Sequence, residues 1–160
     1  MSLPHNPQGP ADGLRRGMKI LVMGLPGAGK TTLARLLRAR LGCVHLNADE
    51  VRRHLYRDLG YSLEDRLEHA RRMGWLCERI VQGGVDVIAD FICPTQETRA
   101  AFGATFTVWI DRIKEGRFAD TNRLFVPPET WDVRVEAGPS PETWTQRVLD
   151  AIEDRKNPRA

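Results

Sequence analysis

A phosphate-binding loop is the clearest chemical feature of the sequence. Residues 24–31 match the pattern G-x-x-x-x-G-K-[ST] and lie between an apolar run and an amphipathic segment. In such a loop the glycines let successive backbone N–H groups point at phosphate oxygens, and the helix that follows adds the positive end of its dipole. Lys30 would neutralise charge on the β- and γ-phosphates, and Thr31 would place its hydroxyl on Mg²⁺. The predicted nucleotide-binding residues are Gly24, Leu25, Pro26, Gly27, Ala28, Gly29, Lys30, Thr31 and Thr32.

Two acidic residues follow strand-like segments and are candidates for phosphoryl-transfer chemistry. Asp49 comes after the apolar residues 43–46, and Asp90 ends the apolar run 87–89. Because the carboxyl ends of parallel strands meet at one edge of a sheet, both carboxylates should face the phosphate loop. Asp49 is the candidate base for the acceptor hydroxyl, and Asp90 is a candidate to hold Mg²⁺ through water. An N-cap or loop carboxylate is the alternative role for each.

Arginines and tyrosines are interleaved between residues 52 and 72. Guanidinium groups bind phosphate or sulfate oxygens through two parallel hydrogen bonds. We predict substrate roles for Arg52 and Arg66, each near the start of a helix close to the expected cleft. His69 falls on the same helix face as Arg66 and is a further candidate substrate contact. For the other arginines of this run, a solvated helix face is the usual explanation.

Apolar segments alternate between strand-like and helix-like periodicity from residue 18 onward. This alternation predicts an α/β fold with a parallel sheet wrapped by helices. The predicted strands are residues 18–23, 43–46, 85–90, 106–110 and 131–135. The predicted helices are residues 29–41, 49–58, 62–82 and 141–154.

Composition is ordinary for one globular domain, with 160 residues, 41% hydrophobic and 28% charged residues and a net charge of +3. Residues 17–156 are predicted to form this domain, and the polar, proline- and glycine-rich residues 1–16 a flexible leader without the features of a signal peptide. No apolar run is long enough for a membrane span. Three cysteines without C-x-x-C spacing favour core thiols in a reducing cytosol. The small net charge predicts no nucleic-acid partner, and a homodimer is left open.

Three stretches of the sequence together resemble adenylylsulfate kinases. They are similar to the family patterns L-D-G-D-N-V-R at residues 46–52, D-L-G-F-S-x-x-D-R-x-x-N-x-R-R at residues 58–72 and F-I-S-P-x-x-x-x-R at residues 91–99. The resemblance covers roughly residues 18–102. It implies the P-loop kinase fold, in which helices flank both faces of a parallel five-stranded sheet. It also implies a cytoplasmic enzyme of sulfate assimilation that uses ATP and Mg²⁺ to phosphorylate the 3′-hydroxyl of adenosine 5′-phosphosulfate, a small anionic acceptor.

The resemblance also implies roles for individual residues. Asp49 matches the catalytic acid of the family, and the two arginines singled out above match its sulfonucleotide-binding arginines. Tyr61 matches an aromatic residue that stacks on the substrate adenine. Ile92 and Cys93 fall in the substrate-binding loop.

Among the residues that differ from those of the family, four lie in or beside the candidate site. Asn47 stands where the family has aspartate, Asp90 where it has serine, His69 where it has the substrate-binding asparagine, and Cys93 where it has serine. The sequence therefore predicts phosphoryl transfer to a hydroxyl, whereas it leaves the identity of the acceptor open.

A short segment replaces the longer lid of the family. We predict that residues 112–126 form a mobile lid in which Arg117 or Arg123 reaches the phosphates and Phe125 contacts the substrate. An ordinary surface connection is the competing interpretation, because lids and plain loops share this composition.

Two other functions remain open at this point. The chain could phosphorylate another anionic nucleotide or a sugar hydroxyl, which the departures in the substrate site would permit. It could also be a regulatory nucleotide-binding NTPase, although the sequence has no base-recognition motif of the N-K-x-D kind.

Overall fold

A computed structural model describes residues 15–159, so most of the predicted leader lies outside the described residues. The strands are β1 (Lys19–Gly24), β2 (Val44–Asn47), β3 (Val87–Phe91), β4 (Phe106–Asp111) and β5 (Val133–Glu136). The helices are α1 (Lys30–Leu41), α2 (Ala48–Leu55), α3 (Leu63–Gln82), α4 (Gln96–Phe102), α5 (Ala119–Leu124) and α6 (Pro141–Lys156). All strands are parallel, in the order β2-β3-β1-β4-β5. Within the described range, no helix is long and apolar enough to cross a bilayer.

Helices cover both faces of the sheet, and each face has its own core. On one face α1 and α6 pack through residues such as Leu37 and Val148. On the other face α3 and α4 pack through residues such as Met73 and Phe102. Every residue of β1 is buried, as expected of a central strand whose two faces are both covered. The predicted parallel five-stranded sheet with helices on both faces is confirmed.

The strand order determines where the site lies. β1 pairs with β3 on one side and with β4 on the other, while the chain leaves β1 through α1 and enters β2 beyond β3. Ligands of open α/β sheets bind where the connections of neighbouring strands diverge in this way. The segments that follow β1, β3 and β4 therefore lie together at the carboxyl end of the sheet.

The sequence periodicity does not predict α4 and α5. α4 begins with a capping box, in which the hydroxyls of Thr95 and Thr98 accept hydrogen bonds from each other's backbone N–H at 3.2 and 3.0 Å. α5 has six residues, no side-chain N-cap bond and one buried residue, Thr121. Both helices are too short for a helical repeat of apolar residues to be visible in the sequence.

Candidate active site

The predicted phosphate-binding loop joins β1 to α1. Gly29 precedes α1 with φ of +105° and provides no side-chain cap, so the first N–H groups of the helix are available to an anion. Gly24 leaves no room for a side chain, because a Cβ atom there would lie 2.6 Å from the carbonyl oxygen of Ile110. The backbone is therefore shaped for phosphate at the point where the sequence predicts it.

Three charged side chains act on the ammonium group of Lys30. Its Nζ donates a hydrogen bond to the carbonyl oxygen of Leu25 at 2.8 Å. Burial lowers the pKa of Lys30 to about 8, while the carboxylates of Asp90 and Asp49 act to raise this pKa and the charge of Arg117 acts to lower it. The charges of the predicted base, of the predicted metal carboxylate and of one arginine of the predicted lid thus all act on this lysine.

Asp90 is almost completely buried, at 1% exposure, and accepts hydrogen bonds on both carboxylate oxygens. Oδ1 accepts from the hydroxyl of Thr31 at 3.1 Å and from the amide of Asn47 at 3.0 Å. Oδ2 accepts from Nε2 of His45. A hydroxyl and a carboxylate are the hard oxygen groups that suit Mg²⁺, an ion that keeps waters and substrate phosphates as its other ligands. The residues present therefore fit the predicted metal.

Asp49 is exposed in the first turn of α2. The N-cap of this helix is Asn47, whose side-chain oxygen accepts from the backbone N–H of Glu50 at 3.0 Å. Asp49 is therefore not the helix cap, one of the two alternatives for this carboxylate. Its position beside Lys30 leaves it available to an acceptor hydroxyl.

Arg52 of α2 and His69 of α3 form a buried pair. Arg52 donates through Nη1 to the carbonyls of Leu59 at 3.1 Å and Gly60 at 2.6 Å, and through Nη2 to Nδ1 of His69 at 3.0 Å. Burial and the charge of Arg52 lower the pKa of His69 to about 4, so the imidazole is neutral near pH 7. Most of the guanidinium predicted to bind substrate is thus engaged within the protein. Nε of Arg52 and Nε2 of His69 are buried without a hydrogen-bond partner.

Tyr61 lies beside two arginines. Its ring centroid is 4.5 Å from the guanidinium carbon of Arg52 and 5.7 Å from that of Arg66. The ring is also 66% exposed, so an aromatic surface is open to a planar ligand. Arg66 donates from Nε to the carbonyl of Tyr61 at 2.9 Å, and its Nη2 lies 3.5 Å from the hydroxyl of Thr121. Arg66 therefore connects α3 to the predicted lid.

The loop after β3 contains an unusual backbone conformation. Cys93 has φ of +46° and is the only non-glycine residue with positive φ in the described part of the chain. Its side chain is fully buried, and burial raises the pKa of the thiol to about 12, so the sulfur stays protonated. Ile92 beside it is half-buried. The side chain of Cys93 therefore lies inside the loop, and the substrate-binding role of Ile92 and Cys93 stays a prediction.

Arg99 fixes this loop, and it is absent from the predicted site residues. Its Nε donates to the carbonyl of Cys93 at 3.0 Å, and its Nη2 donates to the carbonyls of Pro94 at 3.2 Å and Val126. Arg99 therefore joins the substrate loop to the end of the predicted lid. The one sequence signal for it is the last position of the pattern F-I-S-P-x-x-x-x-R.

The predicted lid packs against the phosphate loop. Gly116 approaches so closely that a Cβ atom there would lie 2.9 Å from Cδ of Pro26. Asn122 fixes this glycine, because its side chain accepts from the N–H of Gly116 at 2.7 Å and donates to its carbonyl at 3.1 Å. Residues 112–126 thus adjoin the phosphate site in this conformation, and their mobility stays a prediction.

The three lid residues singled out in the sequence lie in different surroundings. Arg117 is near enough to Lys30 to act on its pKa. Arg123 forms an exposed ion pair with Asp120 one turn away on α5. The ring of Phe125 stacks 5.5 Å from the guanidinium carbon of Arg99. The structure therefore favours Arg117 over Arg123 as the phosphate contact.

A cavity of about 190 Å³ adjoins the phosphate loop on the side of β4 and α6. Arg112 lines it and has its Nη1 3.4 Å from the carbonyl of Ala28. The other lining residues are Gly29, Thr32, Leu33, Ile110, Val135, Pro139, Pro141 and Trp144. Except for Gly29, Thr32 and Arg112, which lies in the predicted lid, the sequence patterns did not identify these residues, because they come from four separate elements and share no motif.

Comparison with known proteins identifies relatives over the part of the chain that contains most of this site. A sequence model described as adenylylsulphate kinase matches residues 16–112. Adenylyl-sulfate kinase from Chloroflexus aurantiacus is 43% identical over 91 residues, which are 54% of this chain and 49% of that protein. Adenylyl-sulfate kinase from a Synechococcus strain is 42% identical over 106 residues, 61% of each chain. The chain thus spans about half to three fifths of the length of these curated relatives.

Solved structures extend the likeness over the whole fold. The APS kinase of Mycobacterium tuberculosis in complex with AMPPNP and APS superposes with a TM-score of 0.74 at 25% identity, covering 86% of this chain and 98% of that one. Shikimate kinase from Acinetobacter baumannii shares the fold alone, with a TM-score of 0.61 at 18% identity over 90% of this chain and 97% of that one. The sequence match of residues 16–112 runs from β1 to the end of β4 and includes the phosphate loop, Asp49 and the loop after β3. The chain belongs to the adenylylsulphate kinase family.

Proposed function

We propose that the protein is an ATP-dependent kinase that transfers the γ-phosphate of ATP to the 3′-hydroxyl of adenosine 5′-phosphosulfate. The observation that supports an anionic acceptor is a set of three buried or half-buried arginines that form no ion pair with a carboxylate. The family and the named substrate of the M. tuberculosis relative support the specific acceptor.

Three of the buried or half-buried arginines form no ion pair within residues 15–159, namely Arg52, Arg66 and Arg99. Burial lowers the pKa of Arg66 and of Arg99, and the charge of Arg52 lowers that of Arg66 further. The charges of Asp120 and Glu97 act to raise the pKa of Arg66 and of Arg99, respectively. A bound anion would offset the positive charge of these arginines. By contrast, the arginines with carboxylate partners are Arg16, Arg71, Arg72, Arg123, Arg134 and Arg155.

The proposed reaction assigns a task to each group near the phosphate loop. The N–H groups of the loop and the ammonium of Lys30 hold the β- and γ-phosphates. Asp49 accepts the proton of the acceptor hydroxyl while the new oxygen–phosphorus bond forms and the bond to the β-phosphate oxygen breaks, releasing ADP. Bound Mg²⁺ would supply further neutralisation of phosphate charge, and Thr31, with Asp90 through water, would hold it.

A screen of acceptors tests this proposal. ADP release would be measured with adenosine 5′-phosphosulfate, other anionic nucleotides, sugars and no acceptor, with Lys30→Ala as the inactive control. We expect ADP release to depend on adenosine 5′-phosphosulfate and the product to carry a new 3′-phosphate by ³¹P NMR. Turnover with a sugar instead would change the acceptor, and equal ADP release without any acceptor would indicate a regulatory NTPase.

Nucleotide affinity is expected to fall as pH rises above about 8, the pKa of Lys30 in the free protein. Phosphate oxygens stabilise the ammonium form, so binding takes up a proton wherever the free lysine is neutral. Below this pKa the lysine is charged in both the free and the nucleotide-bound protein, so Kd should not depend on pH. Above it Kd should rise by up to about tenfold per pH unit. Calorimetric titration with a non-hydrolysable ATP analogue across this pH range measures the slope. Lys30→Arg, which stays charged, should bind with little pH dependence, and a level wild-type Kd would contradict the assignment.

Replacing Arg66 with lysine is expected to raise the acceptor KM by about tenfold, because lysine keeps the charge and loses the planar pair of donors. The KM for ATP should change much less, since the hydrogen bonds of Arg66 go to Tyr61 and Thr121 and not to the phosphate loop. Arg71→Lys is the matched control, because Arg71 forms an exposed ion pair with Glu68 on the same helix. Equal losses in ATP and acceptor KM would remove Arg66 from the acceptor site. Steady-state kinetics with each substrate varied in turn distinguishes these results.

A further inference from the structure

The buried carboxylate of Asp90 has three donors, and one of them is a residue to which no role has yet been given. Nε2 of His45 bonds to Oδ2, while Thr31 and Asn47 bond to Oδ1. An ionised carboxylate only accepts hydrogen bonds, so Nε2 of His45 carries the hydrogen. His45 therefore occupies one carboxylate oxygen and leaves the other turned toward the hydroxyl of Thr31.

The sheet register places these groups on one face. Asn47 pairs with Asp90 across β2 and β3, and His45 pairs with Ile88 two residues earlier. Because side chains alternate along a strand, His45 and Asn47 point to the same side of the sheet. This is the side on which α1 lies, with Thr31 in its first turn. The side chain of His45 is 10% exposed, so the contact with Asp90 is shielded from water.

The register also relates two of the departures from the family patterns. The resemblance implies aspartate where this chain has Asn47 and serine where it has Asp90. In this chain the paired positions therefore carry one carboxylate, on β3. The carboxylate of Asp90 must be held in its orientation by hydrogen-bond donors, and Nε2 of His45 is the donor to Oδ2.

We propose that His45 is a positioning residue for the metal-binding carboxylate: it fixes Oδ2 of Asp90 so that Oδ1 stays beside the hydroxyl of Thr31, where the Mg²⁺ of the nucleotide would bind. The inference rests on the proposed function only in requiring bound Mg²⁺ and nucleotide, and it does not depend on the acceptor. Mutation of groups that orient metal ligands in this way commonly weakens metal binding by about 10- to 100-fold.

Mg²⁺-dependent binding of adenylyl imidodiphosphate tests the inference without any turnover. Calorimetric titrations over a series of Mg²⁺ concentrations give the concentration at which binding is half-maximally enhanced. His45→Leu and His45→Asn should raise this concentration by about tenfold, because neither retains a donor at the position of Nε2. His45→Gln, whose amide nitrogen reaches that position, should stay close to wild type. His54→Leu, an exposed histidine of α2, is the matched control.

The outcomes separate this inference from the proposed function. If the His45 variants require no more Mg²⁺ than His54→Leu while Asp90→Asn requires about tenfold more, His45 does not position the carboxylate. Loss of cooperative thermal unfolding in both His45→Leu and His45→Asn would make its role structural and would also overturn the inference. Absence of Mg²⁺-dependent nucleotide binding in the wild type would contradict the kinase itself. A wild type that binds nucleotide normally but phosphorylates a different acceptor leaves the His45 result unaffected.

Discussion

Replacing Asp49 with asparagine is expected to lower turnover by about 10²-fold or more while leaving ATP binding nearly intact. Asparagine keeps the shape of the side chain but cannot accept the proton of the acceptor hydroxyl. Asp49 is exposed in the first turn of α2 and does not cap the helix, so the substitution should cost little stability. Lys30→Ala should behave differently, because it removes charge from phosphates in both the ground state and the transition state. Titration of ATP against both variants, with turnover measured in parallel, separates the two effects.

The neighbouring Glu50 provides the control for this experiment. It is also an exposed carboxylate in the first turn of α2, but it does not act on the pKa of Lys30 as Asp49 does. Glu50→Gln should therefore retain turnover within a small factor of wild type. Wild-type turnover in Asp49→Asn would show that another group accepts the proton or that no base is required.

The fold could be predicted from the sequence because its signals are local. The apolar run that forms β1 and the glycine-rich loop after it both lie within residues 18–32. The alternation of apolar residues predicted all five strands. Carboxylates at strand ends were also predicted to face the loop, since parallel strands present their carboxyl ends together. Asp90 and Asp49 both act on Lys30 as a result.

The partners of the site residues could not be predicted, because they depend on contacts far apart in sequence. Nothing local to His45 indicates a bond to Asp90, 45 positions away, and nothing local to Arg99 indicates Val126, 27 positions away. The cavity beside the phosphate loop has the same origin, since its walls come from the phosphate loop and α1, the end of β4, β5 and the start of α6.

Arg52 illustrates a different limit of sequence reasoning. Its residue type and position favour anion binding, and the family pattern agrees. In the structure its Nη atoms already bond to two carbonyls and to His69, so its first effect is to hold the turn before α3. A residue type specifies which bonds a side chain can make, whereas packing decides which partners it meets. Arg66 and Tyr61 remain more exposed, and we propose them as the more direct contacts for an acceptor.

Removing the guanidinium of Arg117 is expected to lower kcat by about 10²-fold, the scale of losing one charged group that stabilises the transition state. Arg117 follows Gly116, which packs on Pro26 of the phosphate loop, and its charge acts on Lys30. An arginine held there can reach the transferred phosphoryl group when both substrates are bound. The side chain is exposed, so Arg117→Ala should change the free energy of unfolding by less than about 0.5 kcal/mol.

Arg123→Ala is the matched control from the same segment, because Arg123 is engaged with Asp120 in an exposed ion pair and such pairs contribute little to stability. It should keep wild-type kcat, so the two variants separate a lid that supplies a charge from a segment that only connects β4 to β5. A lower kcat in Arg123→Ala alone would mean that Arg123, and not Arg117, contacts the phosphates when the lid closes. If kcat is unchanged in both variants, residues 112–126 are a surface connection, and Lys30 and the loop N–H groups stabilise the transferred phosphate without an arginine.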